Sequence, residues 1–123
     1  MYPIHSEHAP AAIGPYSQAM VVGNLIFTSG QIPINPATNT VEATDIRAQT
    51  EQVCKNLAAL LAAAGSSLQK VVKTTCYLQD MADFAAFNEV YAQYFTEKPA
   101  RSCIAVRTLP KNVLVEIDAI AEI

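Results

Sequence analysis

Two charged residues stand where strands should carry apolar ones. Arg101 heads the run Arg101-Ser102-Cys103-Ile104-Ala105-Val106, and Glu116 sits between Val115 and Ile117. A guanidinium is always charged and presents a planar fork of donors, so at the head of a strand it can grip a carboxylate through two parallel hydrogen bonds. The carboxyl of Glu116, set in a pocket, can orient a water molecule and carry its protons. Each residue also has a plainer use. Arg101 can be half of an ordinary salt bridge, with Glu116 among its candidate partners; Glu116 can be a structural ion pair or an edge residue facing water. The catalytic reading requires the two groups, on neighbouring strands, to share one small wet cavity.

Other candidates are weaker. Cys103 shares a strand face with Arg101 by alternation, but a nucleophilic thiol needs a base or a positive field. The only histidines, His5 and His8, lie at the N-terminus, so Cys103 reads as a wall residue. Cys54, within an apolar helical pattern, and Cys76, within an apolar strand, read as core. Tyr16 falls in the turn Gly14-Pro15-Tyr16-Ser17. Ser29 and Gly30 fall in Thr28-Ser29-Gly30-Gln31, where a glycine lets backbone N–H groups approach a ligand closely. His5 and His8 have no apparent third ligand, so no metal site is expected. Four glycines, none in a dinucleotide or phosphate-loop pattern, leave nucleotide binding without support.

The elements that must position these residues follow from periodicity. Ser17 to Val22 and Leu25 to Ser29 read as strands joined by a Gly23-Asn24 hairpin. Asp45 to Ala64 reads as a helix, capped by Thr44 or Asp45 and closed by Gly65, with a stripe of Ile46, Val53, Leu57, Leu60 and Leu61. Lys70 to Leu78 is a Val- and Thr-rich strand. A second helix opens at Asp80 or Asp83 and runs to about Phe95, and Pro99 ends the connection that follows. Arg101 to Val106 and Val113 to Ile123 are the last strands, with a turn at Pro110-Lys111-Asn112. The order ββ, α, β, α, ββ predicts an α+β domain over residues 1–123, with two helices on one face of a mixed sheet. In the final strand, Val113, Val115, Ile117 and Ala119 should meet the helices, while Leu114, Glu116, Asp118 and Ile120 face another subunit or a pocket.

Composition narrows the function classes. Hydrophobic residues make up 51% of the chain and charged ones 15%, against about 25% charged in an average soluble domain. So little charge leaves apolar surface over, which an oligomer would bury. Eight basic and eleven acidic residues, net charge −3, argue against nucleic acid as a partner. The apolar runs fall far short of the ~20 residues of a membrane span, and the N-terminus has neither a basic start nor an apolar stretch. Three cysteines without paired spacing suit free thiols in a reducing, cytoplasmic setting.

Taken in order, short segments along nearly the whole chain resemble the RidA (YjgF) family, of the imine deaminase type. They are Ala9-Pro10-Ala11-Ala12-Ile13-Gly14-Pro15-Tyr16-Ser17-Gln18, Thr28-Ser29-Gly30-Gln31-Ile32-Pro33, Val72-Lys73-Thr74-Thr75, and Phe84-Ala85-Ala86-Phe87-Asn88 with Tyr91. Pro99-Ala100-Arg101-Ser102-Cys103, Leu109-Pro110-Lys111 and Val115-Glu116-Ile117-Asp118-Ala119 complete the set. Lys98 departs from the aromatic residue that commonly precedes Pro-Ala-Arg. The resemblance implies a chorismate-mutase-like fold and a homotrimer with pockets between subunits. It also implies cofactor-independent hydrolysis of 2-iminobutanoate and 2-iminopropanoate to the keto acids and ammonia. On that resemblance Arg101 binds the substrate carboxylate, and Glu116, with the Cys103 backbone, positions the water. Tyr16, Ser29, Gly30 and Asn88 line the pocket. The competing expectations are a trimer that binds or senses 2-keto acids without turnover, and a chaperone-like or ribonuclease role.

Overall fold

The computed structural model describes all 123 residues. Apolar alternation along the last strand dictates the architecture. In β6 (Val115–Glu122) every second residue, Val115, Ile117, Ala119 and Ala121, is at most 1% exposed. This face meets the two helices, α1 (Ile46–Ala63) and α2 (Phe84–Tyr94). Their side chains Val53, Leu57, Leu61, Phe87 and Tyr91 join the β6 residues in one core. Each such fully buried aliphatic side chain contributes about 1.5–3 kcal/mol of transfer free energy, so the stripe predicted for α1 holds the layers together.

Six strands make one mixed sheet in the order β1-β2-β3-β6-β4-β5. β2 (Ala19–Val22) and β3 (Leu25–Thr28) form the expected hairpin, Val22 pairing with Leu25 across Gly23-Asn24. Gly23 has φ +59, the positive angle that a II′ turn requires of its first central residue. β4 (Val71–Leu78) is antiparallel to β6 and parallel to β5 (Ala100–Ala105). Parallel neighbours need a crossover, and α2 supplies it.

Helix starts follow their caps. The Asp45 carboxylate accepts from the Ala48 N–H at 2.9 Å. Of the two starts expected for the second helix, Asp80 caps a short 3₁₀ turn, Met81–Asp83, through the Ala82 N–H, and α2 proper begins at Phe84. One strand was not expected. β1 (Tyr2–Ile4) pairs with β2 at the sheet edge, the place where a proline such as Pro3 costs no ladder bond.

No helix packs on the sheet face away from α1 and α2, and part of it is open. Phe27 stands 39% and Ile104 49% exposed there. Strand pairing sets Met20 and Ile120 beside Phe27, and Tyr77 beside Ile104. No helix is long and apolar enough to cross a membrane.

Candidate functional site

Register decides which side chains can meet. Arg101 is paired with Thr74 and Cys103 with Cys76, and Thr74 and Cys76 point into the helix layer, both 0% exposed. Arg101 and Cys103 therefore lie on the helix side. Glu116 pairs with Tyr77 and Asp118 with Thr75, one step out of phase, so both carboxyls lie on the open side. β4 separates the strands that carry Arg101 and Glu116. The expectation that the two groups sit on neighbouring strands is thus corrected, and within one chain they share no cavity. The turn at Pro110-Lys111-Asn112 does not make a hairpin, because β4 pairs with both β5 and β6 and takes the place between them. Nor is there a salt bridge between the two residues; the only ion pairs are Arg47–Glu89 and Lys55–Glu51.

The Arg101 side is a guanidinium held in an aromatic cage. Its Nη1 donates to Asn88 Oδ1 at 2.6 Å. Its Cζ lies 4.7 Å from the Tyr91 ring centroid, 5.4 Å from that of Phe84 and 6.0 Å from that of Phe87. A cation over aromatic faces is attracted by their negative π-clouds, by about 0.5–2 kcal/mol. Tyr91 is itself pinned, its hydroxyl 2.7 Å from the buried Thr74 hydroxyl. Arg101, Asn88 and Tyr91 open onto a cavity of about 430 Å³, which Phe95, Thr96 and Lys98 also line.

The Glu116 side is a second cavity of about 440 Å³, lined by Tyr16, Ser29, Gly30 and Glu116 with Ile13, Ile32 and Pro110. The chain after β3 continues along β6 with its register shifted by one residue: Gln31 and Ile117 exchange both backbone bonds, at 2.8 and 3.1 Å. That exchange sets Gly30 against Glu116. The Ser29 hydroxyl donates to the Ser17 carbonyl at 2.6 Å. The buried Gln18 side chain bonds the backbone of Ser6, Ala9 and Pro10, anchoring the segment that carries Tyr16. Burial, and then the negative charge of Asp118, push the Glu116 carboxyl above the usual carboxylate range. Asp118 is also raised by burial, against the opposing hydrogen bond that its carboxylate accepts from Tyr77 at 3.2 Å.

So the predicted residues fall into two groups. Arg101 and Asn88 share one cavity; Tyr16, Ser29, Gly30 and Glu116 share the other; Cys103 lines neither. Burial raises the Cys103 thiol while Arg101 lowers it. Cys54 and Cys76 are fully buried, and burial pushes the Cys76 thiol up to about 12. No three His, Cys, Asp or Glu side chains converge on a point that could hold a metal ion.

A family model described as "Endoribonuclease L-PSP" matches residues 6–123. A 2-iminobutanoate/2-iminopropanoate deaminase of Escherichia coli K12 is 51% identical over 122 residues, spanning 96% of this chain and 94% of that protein. The chain belongs to the RidA (YjgF) family. Other relatives carry other names. The RutC family protein PH0854 of Pyrococcus horikoshii is 57% identical over 119 residues, covering 96% of this chain and 94% of its own. The crystal structure of Escherichia coli TdcF with bound serine superposes with a TM-score of 0.95 at 42% identity, over 100% of this chain and 99% of that one.

For this RidA-family chain, sequence reasoning missed the cage and its support. In the sequence Phe84, Phe87 and Tyr91 stand only within the second helix and a family-like segment, and Thr74 only within a strand. The available signal was the spacing: Phe84, Phe87, Asn88 and Tyr91 recur at three- and four-residue steps, which sets them on one helix face.

Proposed function

We propose that the chain hydrolyses small 2-imino acids, 2-iminobutanoate and 2-iminopropanoate, to 2-keto acids and ammonium. One observation carries the reading: Arg101, though caged and oriented, has no carboxylate within 4.0 Å, its side-chain bond going instead to the neutral Asn88. An oriented cation without a partner is a receptor for an anion. The Glu116 carboxyl likewise has no cation within reach, and burial raises its affinity for protons, which suits a group that must take a proton and return it.

Neither cavity alone contains both groups, so the working site is assembled between copies. Arg101 of one subunit holds the substrate carboxylate, and Glu116 of the next faces the imine carbon, with Tyr16, Ser29 and Gly30 forming the wall beside it. The assembly is a homotrimer in the cytoplasm, and the open part of the sheet face with Phe27 and Ile104 supplies apolar area for it. Water adds to the carbon of the protonated C=N bond and gives one proton to Glu116. The tetrahedral carbinolamine then takes that proton on nitrogen, the C–N bond breaks with its electron pair leaving on ammonia, and the hydroxyl proton follows it. The balance is iminium plus water to ketone plus ammonium. Holding water, carbon and carboxyl together removes much of the entropic part of the barrier, and every group used belongs to the protein or the substrate.

The deaminase relative supports this substrate class, as does TdcF, whose bound serine is a small amino acid of the same skeleton. A ribonuclease role has less support, because neither cavity is lined by a histidine. The test is the decay of 2-iminobutanoate, generated by an amino-acid oxidase, with and without the protein, together with its mass in solution. Unchanged decay, or activity in a species shown to be monomeric, rejects the proposal.

A further inference from the structure

In the single chain the Arg101 cavity has room for more than one small carboxylate. Its volume, about 430 Å³, lies in the range of sites that hold much larger molecules. Two cations line it, Arg101 and Lys98, and no aspartate or glutamate does. Neither cation has a carboxylate within 4.0 Å: Glu89 on α2 is engaged by Arg47, and Glu51 lies beside Lys55. Glu97, next in sequence to Lys98, does not line the cavity, and Glu116 is on the far face of the sheet. Lys98 is also fixed by its backbone. It has φ +53, its N–H donates to the Phe95 carbonyl at 3.3 Å, and Pro99 stiffens the chain directly after it. A residue with a Cβ disfavours that conformation, so the turn that sets Lys98 at the cavity rim is held against its local preference.

We propose that Lys98 forms a second anion subsite in this cavity, and that the substrates include 2-imino dicarboxylates of four and five carbons. This rests on the hydrolytic reading above and extends it. The planar fork of Arg101 takes the carboxylate next to the imine. The Lys98 ammonium, a point charge on a flexible four-carbon stem, follows a distal carboxylate across the difference of one methylene. The reaction is unchanged: water replaces the imine nitrogen, and 2-iminoglutarate becomes 2-oxoglutarate and ammonium. A step that oxidises the α-amine of an acidic amino acid supplies such a substrate.

The experiment compares 2-iminoglutarate, made by a glutamate oxidase, with 2-iminobutanoate, using the full chain and its Lys98→Met and Lys98→Arg variants. The wild type is expected to hydrolyse both. Lys98→Met should lower the diacid-to-monoacid ratio of kcat/KM by about 10- to 100-fold, the worth of one charge-assisted hydrogen bond, chiefly through KM, and Lys98→Arg should restore most of it. Lys98 is exposed, so both variants should fold. Hydrolysis of the monoacid without the diacid, or an equal fall in both with Lys98→Met, overturns the subsite and leaves the hydrolytic reading standing. Loss of both activities in the wild type overturns the reading and the subsite together.

Discussion

The carboxyl of Glu116 lies directly against Gly30: a methyl group on that glycine would collide with Oε2 and stand 2.8 Å from Cδ. Gly30 is not among the residues with positive φ, so its backbone would accept alanine. Only space forbids it. Gly30→Ala should therefore displace the end of the Glu116 side chain while leaving the fold within about 1 kcal/mol of wild type, as the neighbour is flexible. Imine hydrolysis should fall about 100-fold, the usual cost of a misplacement of roughly 1 Å. Thermal denaturation and turnover on the same preparation check both halves; full activity in this variant would remove Glu116 from the chemistry.

Arg101→Lys tests the other half of the site. A lysine keeps the charge but not the fork, and it cannot both donate to Asn88 and lie flat over Tyr91. We expect kcat/KM for 2-iminobutanoate to drop by at least about 100-fold. Steady-state kinetics decide it, and near-normal turnover would mean that the substrate carboxylate is bound elsewhere.

Much of this was legible in residue order. The two-residue period from Val113 to Ala119 marked the face that meets the helices, and it set Glu116 and Asp118 on the other. The stripe from Ile46 to Leu61 marked α1. Alternation, however, gives the phase of side chains within one strand and says nothing of its phase against the next. Whether Arg101 points the same way as Glu116 depends on which strands pair and in what register, and only the tertiary structure holds that information. The same limit hid β1, where three residues including Pro3 are too few to show a period. It also hid the cage, since an aromatic at helical spacing looks alike whether it packs on aliphatics or on a guanidinium.

Tyr91→Phe separates the cage from its support. The ring stays over Arg101, but the Thr74 hydroxyl, 0% exposed, loses its 2.7 Å partner and keeps only the Cys76 thiol at 3.9 Å. Stability should fall by about 1–2 kcal/mol. Chemical denaturation measures this; an unchanged midpoint would show that the bond contributes nothing.

The raised carboxyls give a pH dependence whose sign can be worked out. The folded chain holds the Glu116 proton more tightly than the unfolded one does. Its contribution to stability is therefore most favourable at acid pH, and declines as pH rises from the ordinary carboxylate value through the raised one. Glu116→Gln should gain stability relative to wild type at pH 7 that it does not gain at pH 4. The base form is needed to attack, so the acid limb of the rate profile should follow the raised value. Asp118→Asn removes a negative neighbour and should shift that limb to lower pH. Profiles of kcat/KM against pH for the two proteins show the displacement, and coincident limbs would exclude coupling between the carboxyls.

Strand β4, lying between β5 and β6, leaves Arg101 and Glu116 of each polypeptide on opposite sides of one sheet, so under the proposed mechanism no chain uses its own pair. A chain built this way ties its chemistry to dosage and company. Subunits disabled at Arg101 and subunits disabled at Glu116, inert when pure, would recover some turnover when co-refolded, at those contacts where the intact guanidinium of one faces the intact carboxyl of the other.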